Sequence, residues 1–185
     1  MLFTRQTWNT LAVSCTFIAL QTLPMTSHAL DSASIDYGSG NQTRMVRLGM
    51  QWKWENKWWQ SNGSHVSGYW DMGLAHWRER RFQNVLDKTQ NLTSIGITPV
   101  FRLQSDSLTG PYGEFGIGVH YLSELYDNNG RQLSTRFQFG DRIGAGYVFR
   151  NKLDLGLMIE HFSNGGVKEP NDGVNFAVVR VRYPF

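Results

Sequence analysis

The sequence predicts an all-β protein: an eight-stranded antiparallel barrel that spans a membrane. Three observations lead there. Apolar and polar residues alternate in runs of about ten, the length and period of a tilted strand crossing a bilayer. Beyond residue 30 no run of about twenty apolar residues is available to cross as a helix. The chain closes on Phe185, the last of an apolar file that includes Ala177, Val179, Val181 and Tyr183.

The first segment stands apart from this pattern. Arg5 precedes an apolar stretch from Leu11 to Leu23, and Ser27-His28-Ala29 supplies small residues where a leader is cut. Residues 1–29 therefore read as a signal peptide and residues 30–185 as one barrel domain. The single cysteine, Cys15, falls in the leader, so the exported part has no disulfide framework and no thiolate chemistry. A net charge of +3 with scattered basic residues argues against a nucleic-acid partner.

The strands follow in order. A short one lies near Ile35 and Tyr37. "TRMVRLGMQWKW" puts Val46, Leu48, Met50, Trp52 and Trp54 on one face and Arg47, Gly49, Gln51 and Lys53 on the other. "SHVSGYWDMGLAHW" is the third. "NLTSIGITPVFRL" opposes Ile95, Ile97, Pro99, Phe101 and Leu103 to Gly96, Thr98, Val100 and Arg102. "GEFGIGVHYL" opposes Phe115, Ile117, Val119 and Tyr121 to Glu114, Gly116, Gly118 and His120. "TRFQFGDRIGAGYVF" places Phe137, Phe139, Ile143, Ala145, Tyr147 and Phe149 against Gln138, Gly140, Arg142, Gly144 and Gly146. Asp141 interrupts that apolar file, which suggests a bulge or a strand end there. The seventh strand covers residues 153–163 and the eighth starts near residue 173.

The polar face is rich in glycine and long charged side chains, as a narrow lumen requires. The other face is apolar and aromatic at its ends, as a lipid-facing wall requires. A soluble sandwich would bury that apolar face, and a soluble lipid-binding barrel would have an apolar lumen. The final strand, ending on an aromatic residue, resembles the C-terminal signature of bacterial outer-membrane barrels. Closure also removes edges that would stand unpaired in lipid. With both termini in the periplasm, the seventh strand rises toward the cell exterior. Trp52, Trp54, Trp58, Trp59, Tyr183 and Phe185 then form a periplasmic girdle, and Trp77 lies near the outer rim.

The seventh strand ends in "LGLMIEHFSNGG", and strand parity puts His161 and Ser163 on the lipid-facing side with Leu155, Leu157 and Ile159. Their height is that of the outer leaflet, which is lipopolysaccharide in Gram-negative bacteria. Asn175, in step with Ala177 and Val179, faces out at the top of the eighth strand. Alternate residues lie about 6.5–7 Å apart at the backbone, so an imidazole leaning toward a hydroxyl reaches hydrogen-bonding distance. A histidine so placed can take the serine proton and let the oxygen attack an ester. Asn164, Gly165 and Gly166 follow directly and can aim N–H groups at a developing oxyanion. The plainer alternative is that polar residues simply mark the end of a strand at a wet interface.

"HFSNGGVKEPNDGVN" resembles the C-terminal motif of the PagL family of outer-membrane lipid A 3-O-deacylases, and "FQFGDRIGAGYVF" resembles that family's sixth strand. The likeness is clearest from about residue 135 onward and fits the length and pattern of the whole exported chain. It implies an eight-stranded barrel that removes an ester-linked acyl chain from lipid A, with Ser163 as nucleophile, His161 as base, and Asn164 with the following glycines at the oxyanion. The partner is then lipopolysaccharide in the outer membrane. The chain departs from the family at Asn175, where its best-known members carry a glutamate that orients the histidine. An amide can accept a hydrogen bond from an imidazole but cannot balance imidazolium charge. In serine proteases the acid-to-amide change costs about 10⁴ in rate. Asn175 is expected to fill the orienting role itself. Glu160 has the wrong parity, while Glu169 and Asp172 lie in a loop that can fold back.

No metal-ligand cluster, phosphate loop or nucleotide motif occurs, so no cofactor and no metal are expected. His120, Glu114, Arg142, Arg180 and Arg182 should form a paired polar lumen, and His76 is an interfacial residue without an assigned role. Arg78, Arg80, Arg81 and Lys168 stand near the outer rim, where they can meet lipid A phosphates or simply water. A homo-oligomer is compatible with the sequence. The rival readings are a non-enzymatic structural or adhesive barrel and a deacylase relative whose catalysis has decayed.

Overall fold

The computed structural model describes residues 29–185; the expected leader and Cys15 lie outside the described residues. The strands are β1 (Ser32–Gly40), β2 (Thr43–Lys53), the short β3 (Trp58–Ser61), β4 (Ser64–Glu79), β5 (Gln90–Ser105), β6 (Gly110–Leu122), the small hairpin β7 (Tyr126–Asn128) and β8 (Arg131–Leu133), β9 (Phe137–Val148), β10 (Asp154–Ser163) and β11 (Val174–Pro184). The eight longest pair antiparallel in chain order, with β2 joined to β4 and β6 to β9. β1 closes the ring against β11, from Ser32 opposite Pro184 to Ser39 opposite Ala177. The chain therefore forms the eight-stranded barrel that its alternation predicts.

Alternation decides which side chain goes where. Ile35, Leu48, Ile117, Ile143 and Leu157 are exposed on the outer wall, while Arg47, Glu114, Arg142 and Arg180 are buried in the lumen. Near the end with the tight turns, Arg102 donates to Glu114 at 2.5 Å and to Asp154 at 2.9 Å, and Arg182 also pairs with Asp154. In the middle, Arg180 holds Asp36 at 2.7 Å and Asp71 at 2.9 Å, and Arg142 reaches Asp71 at 2.5 Å. Arg47 then joins Asp36 and Glu160, each at 2.7 Å. Low-dielectric surroundings make such charges tolerable only when they are paired in this way.

Above Glu160 the lumen changes character. Trp77 is fully buried, its ring 4.8 Å from Phe162 and 4.9 Å from Phe176 in edge-on contacts. Leu122, Tyr126 and Leu133 complete this apolar plug. The polar lumen expected from the sequence thus ends below the rim, and Trp77 sits on the inner file of β4 rather than on the outer wall. Met45, Leu92, Phe162 and Phe176 share the inward parity, so apolar residues occupy inner positions on several strands at that height.

The bulge suggested at Asp141 does not form. β9 keeps an unbroken register through that residue with both neighbours, placing it opposite Ile117 on β6 and His161 on β10. Asp141 therefore remains in the outward file between Phe139 and Ile143, and it is exposed there.

Candidate active site

The site lies on the outer wall at the loop end of β9, β10 and β11. β10 carries His161 and Ser163 outward because its inward positions are taken by Met158, Glu160 and Phe162, all buried. β11 brings Asn175 directly opposite His161. His161 Nδ1 and Asn175 Oδ1 are 2.7 Å apart. With a carbonyl oxygen as acceptor, Nδ1 carries the proton and Nε2 keeps its lone pair. A neutral imidazole held in this way can accept a proton at Nε2.

Gly173, just before β11 and two residues ahead of Asn175, also packs against the ring. Its φ is +65°, and a Cβ added there would lie 2.5 Å from His161 Cε1. Only glycine satisfies both the left-handed backbone and the close approach. Sequence reasoning overlooked this residue, although a glycine two positions before Asn175 was a visible cue. Ser163 shares the outer face, is half-buried, and lies opposite Phe139 of β9. Among the described residues its hydroxyl makes no hydrogen bond to His161, and bonds of this kind commonly tighten only when substrate is bound.

The loop after Ser163 has its own internal order. Asn164 is fully buried. Its backbone N–H donates to Asn171 Oδ1 at 3.0 Å, and its side-chain amide donates to Lys168 O at 2.6 Å and Ser134 Oγ at 3.3 Å. Asn164 Oδ1 in turn accepts the Gly166 N–H at 3.0 Å. Two of the three residues expected at an oxyanion, Asn164 and Gly166, thus have their N–H groups engaged within the loop. Gly165 remains, with φ +67° and no hydrogen-bond partner for its N–H among the described residues.

The small hairpin β7–β8 holds the loop from the side. Arg131 donates to the carbonyls of Asp172 at 2.7 Å and Gly173 at 3.2 Å. The Gln132 N–H donates to Asp172 Oδ2 at 2.7 Å, and Ser134 Oγ donates to Lys168 O at 2.7 Å. Asp172 is therefore committed to the hairpin, and Glu160 is inside the barrel on Arg47. Neither approaches the histidine. His76 faces outward on β4, away from the β9–β11 wall, and His120, Glu114, Arg142, Arg180 and Arg182 are buried in the lumen as expected.

Comparison with known proteins gives consistent results. The family described as "Lipid A 3-O-deacylase (PagL)" matches residues 44–184. The chain is 35% identical over 161 residues to the lipid A deacylase PagL of Pseudomonas aeruginosa, covering 84% of this chain and 87% of that protein. It is 27% identical over 154 residues to the lipid A deacylase PagL of Bordetella bronchiseptica, covering 82% of each. A crystal structure of the outer membrane enzyme PagL superposes with a TM-score of 0.72 at 31% identity, over 83% of this chain and 99% of that one. Neisserial surface protein A, at 15% identity and a TM-score of 0.52, shares the fold. A family match across residues 44–184 and 35% identity over most of the chain lead to one conclusion: the chain is a member of the PagL family of outer-membrane lipid A 3-O-deacylases.

Proposed function

We propose that Ser163 and His161 hydrolyse the ester-linked 3-position acyl chain of lipid A, working from the outer surface of the barrel. The substrate's acyl chains would lie against the apolar wall formed by Ile143, Leu157, Ile159 and Val179. Its ester would then meet Ser163 at headgroup depth. His161 Nε2 takes the Ser163 proton as Oγ attacks the carbonyl carbon. The Gly165 N–H receives the developing oxyanion. Collapse expels the lipid A alcohol, which takes its proton from His161, and leaves an acyl-serine. His161 then deprotonates a water that attacks the acyl-serine, and as the fatty acid leaves, the proton passes from His161 to Ser163 Oγ.

The observation that carries this reading is the 2.7 Å bond between His161 and Asn175, which in a neutral imidazole engages Nδ1 and keeps Nε2 free on the face shared with Ser163. All the groups named lie on one chain, so the mechanism asks for no second copy. Arg78 and Lys168, exposed at the loop end, are the residues offered to the phosphates of the glycolipid.

The test is direct. The exported chain, folded in detergent, is incubated with purified lipid A, and the products are weighed by mass spectrometry. Loss of one hydroxy-fatty acid is expected, with a drop of at least about 10³-fold in Ser163→Ala and in His161→Ala. Undiminished cleavage by either variant would sink the mechanism. Silence from the wild type that Asn175→Glu relieves would mean a decayed enzyme, and silence from both would favour the structural barrel.

A further inference from the structure

Catalysis by Ser163 and His161 meets one chemical difficulty. Transferring the serine proton makes His161 an imidazolium, and Asn175 can orient that ring but carries no charge to balance it. The residue opposite on β11 is neutral, so that strand brings no counter-charge to the ring.

Asp141 lies on the opposite side of the same histidine. β9, β10 and β11 align Asp141, His161 and Asn175 in one row, each directly opposite the next. Directly opposed residues share a face of the sheet, with Cβ atoms about 4.5–5.5 Å apart. Asp141 makes no ion pair and no side-chain hydrogen bond among the described residues. Its other cross-strand neighbour is Ile117, and along its own strand it sits between Phe139 and Ile143. His161, its partner on β10, is the basic group that adjoins it.

We infer that Asp141 supplies the negative charge of this site, flanking His161 from β9 while Asn175 fixes the ring from β11. The two functions that a single acid performs in a Ser-His-Asp arrangement, orientation and charge balance, are divided between two strands. Asp141 is a positioning residue: it acts through His161 and touches neither the ester nor the nucleophile. The inference rests on the Ser163–His161 mechanism and adds the group that stabilises its charged intermediate.

The experiment compares kcat and KM for lipid A hydrolysis in Asp141→Asn and Asp141→Glu, each made in the wild-type chain and in Asn175→Glu. The heat-dependent gel mobility of the folded barrel is measured for every variant. In the wild-type chain Asp141→Asn should lower kcat about tenfold or more, the effect of removing one nearby opposite charge, with KM little changed. Asp141→Glu should restore most of the rate. With a carboxylate already at position 175, the loss from Asp141→Asn should shrink to about threefold or less, because the imidazolium has a second charge beside it.

Full activity in Asp141→Asn would overturn the inference. So would an equal loss in both backgrounds, or no rescue by glutamate, since each is the behaviour of a merely structural residue. A silent wild type alongside an active Asn175→Glu would also overturn it while leaving Ser163 and His161 in their roles. Activity that survives Ser163→Ala would remove the underlying mechanism instead.

Discussion

At the scale of single residues, the geometry around His161 is set by backbone as much as by side chains. Asn175 holds Nδ1, and Gly173 limits where the rest of the ring can lie. Gly173→Ala would place a methyl group in contact with Cε1 and also strain a backbone at φ +65°. Because Gly173 lies outside the barrel ladder, the fold should survive and the chemistry should not. We expect kcat to fall about 10- to 100-fold through displacement of the base. Near-normal gel mobility of the folded barrel together with reduced lipid A turnover would bear this out. An unchanged kcat would show that the ring has room to move.

At the scale of elements, the strand that carries His161 and Ser163 runs into a loop braced by a hairpin. Asn164, buried beneath the loop, ties Asn171, Lys168, Ser134 and Gly166 together. Asn164→Ala would leave several of these groups unpaired, at about 1–3 kcal/mol. The expected result is faster proteolysis or hydrogen exchange across residues 164–173 and weaker activity, with barrel unfolding little altered; unchanged protection of that loop would count against its clamping role. These relations also mark the reach of the sequence pattern. Period-two alternation fixes the face of a residue, so the outward positions of His161, Ser163 and Asn175 are legible in the sequence alone. Alternation does not fix which residue of a neighbouring strand stands alongside, since that depends on register. Asp141 therefore reads as an irregularity in its strand, although the ladder carries it without a break to His161. The engagement of Asn164 and Gly166 is equally hidden, because it depends on backbone groups and on a hairpin some thirty residues earlier in the chain.

At the scale of the whole molecule, an ion-paired lower lumen and an aromatic upper plug fill the barrel behind the site. Arg180 is central to this interior, bonded to both Asp36 and Asp71. Arg180→Met would leave two buried carboxylates short of a partner. Arg47 and Arg142 retain part of the network, so we expect a loss of about 3 kcal/mol, at the lower end for breaking a buried pair. Urea unfolding in detergent or lipid vesicles should show this as an earlier midpoint; an unchanged midpoint would show that the remaining arginines carry the network alone. The filled interior also governs traffic. Trp77, Phe162 and Phe176 pack against one another across the upper lumen, so among the described residues side chains fill the barrel at that height. In the proposed mechanism the water for each turnover would come from the cell's surroundings, and the fatty acid released would pass into the leaflet that supplied the substrate. With the loop end outside the cell, as the proposed mechanism has it, a site on the outer wall would meet its glycolipid only once that lipid had reached the outer leaflet.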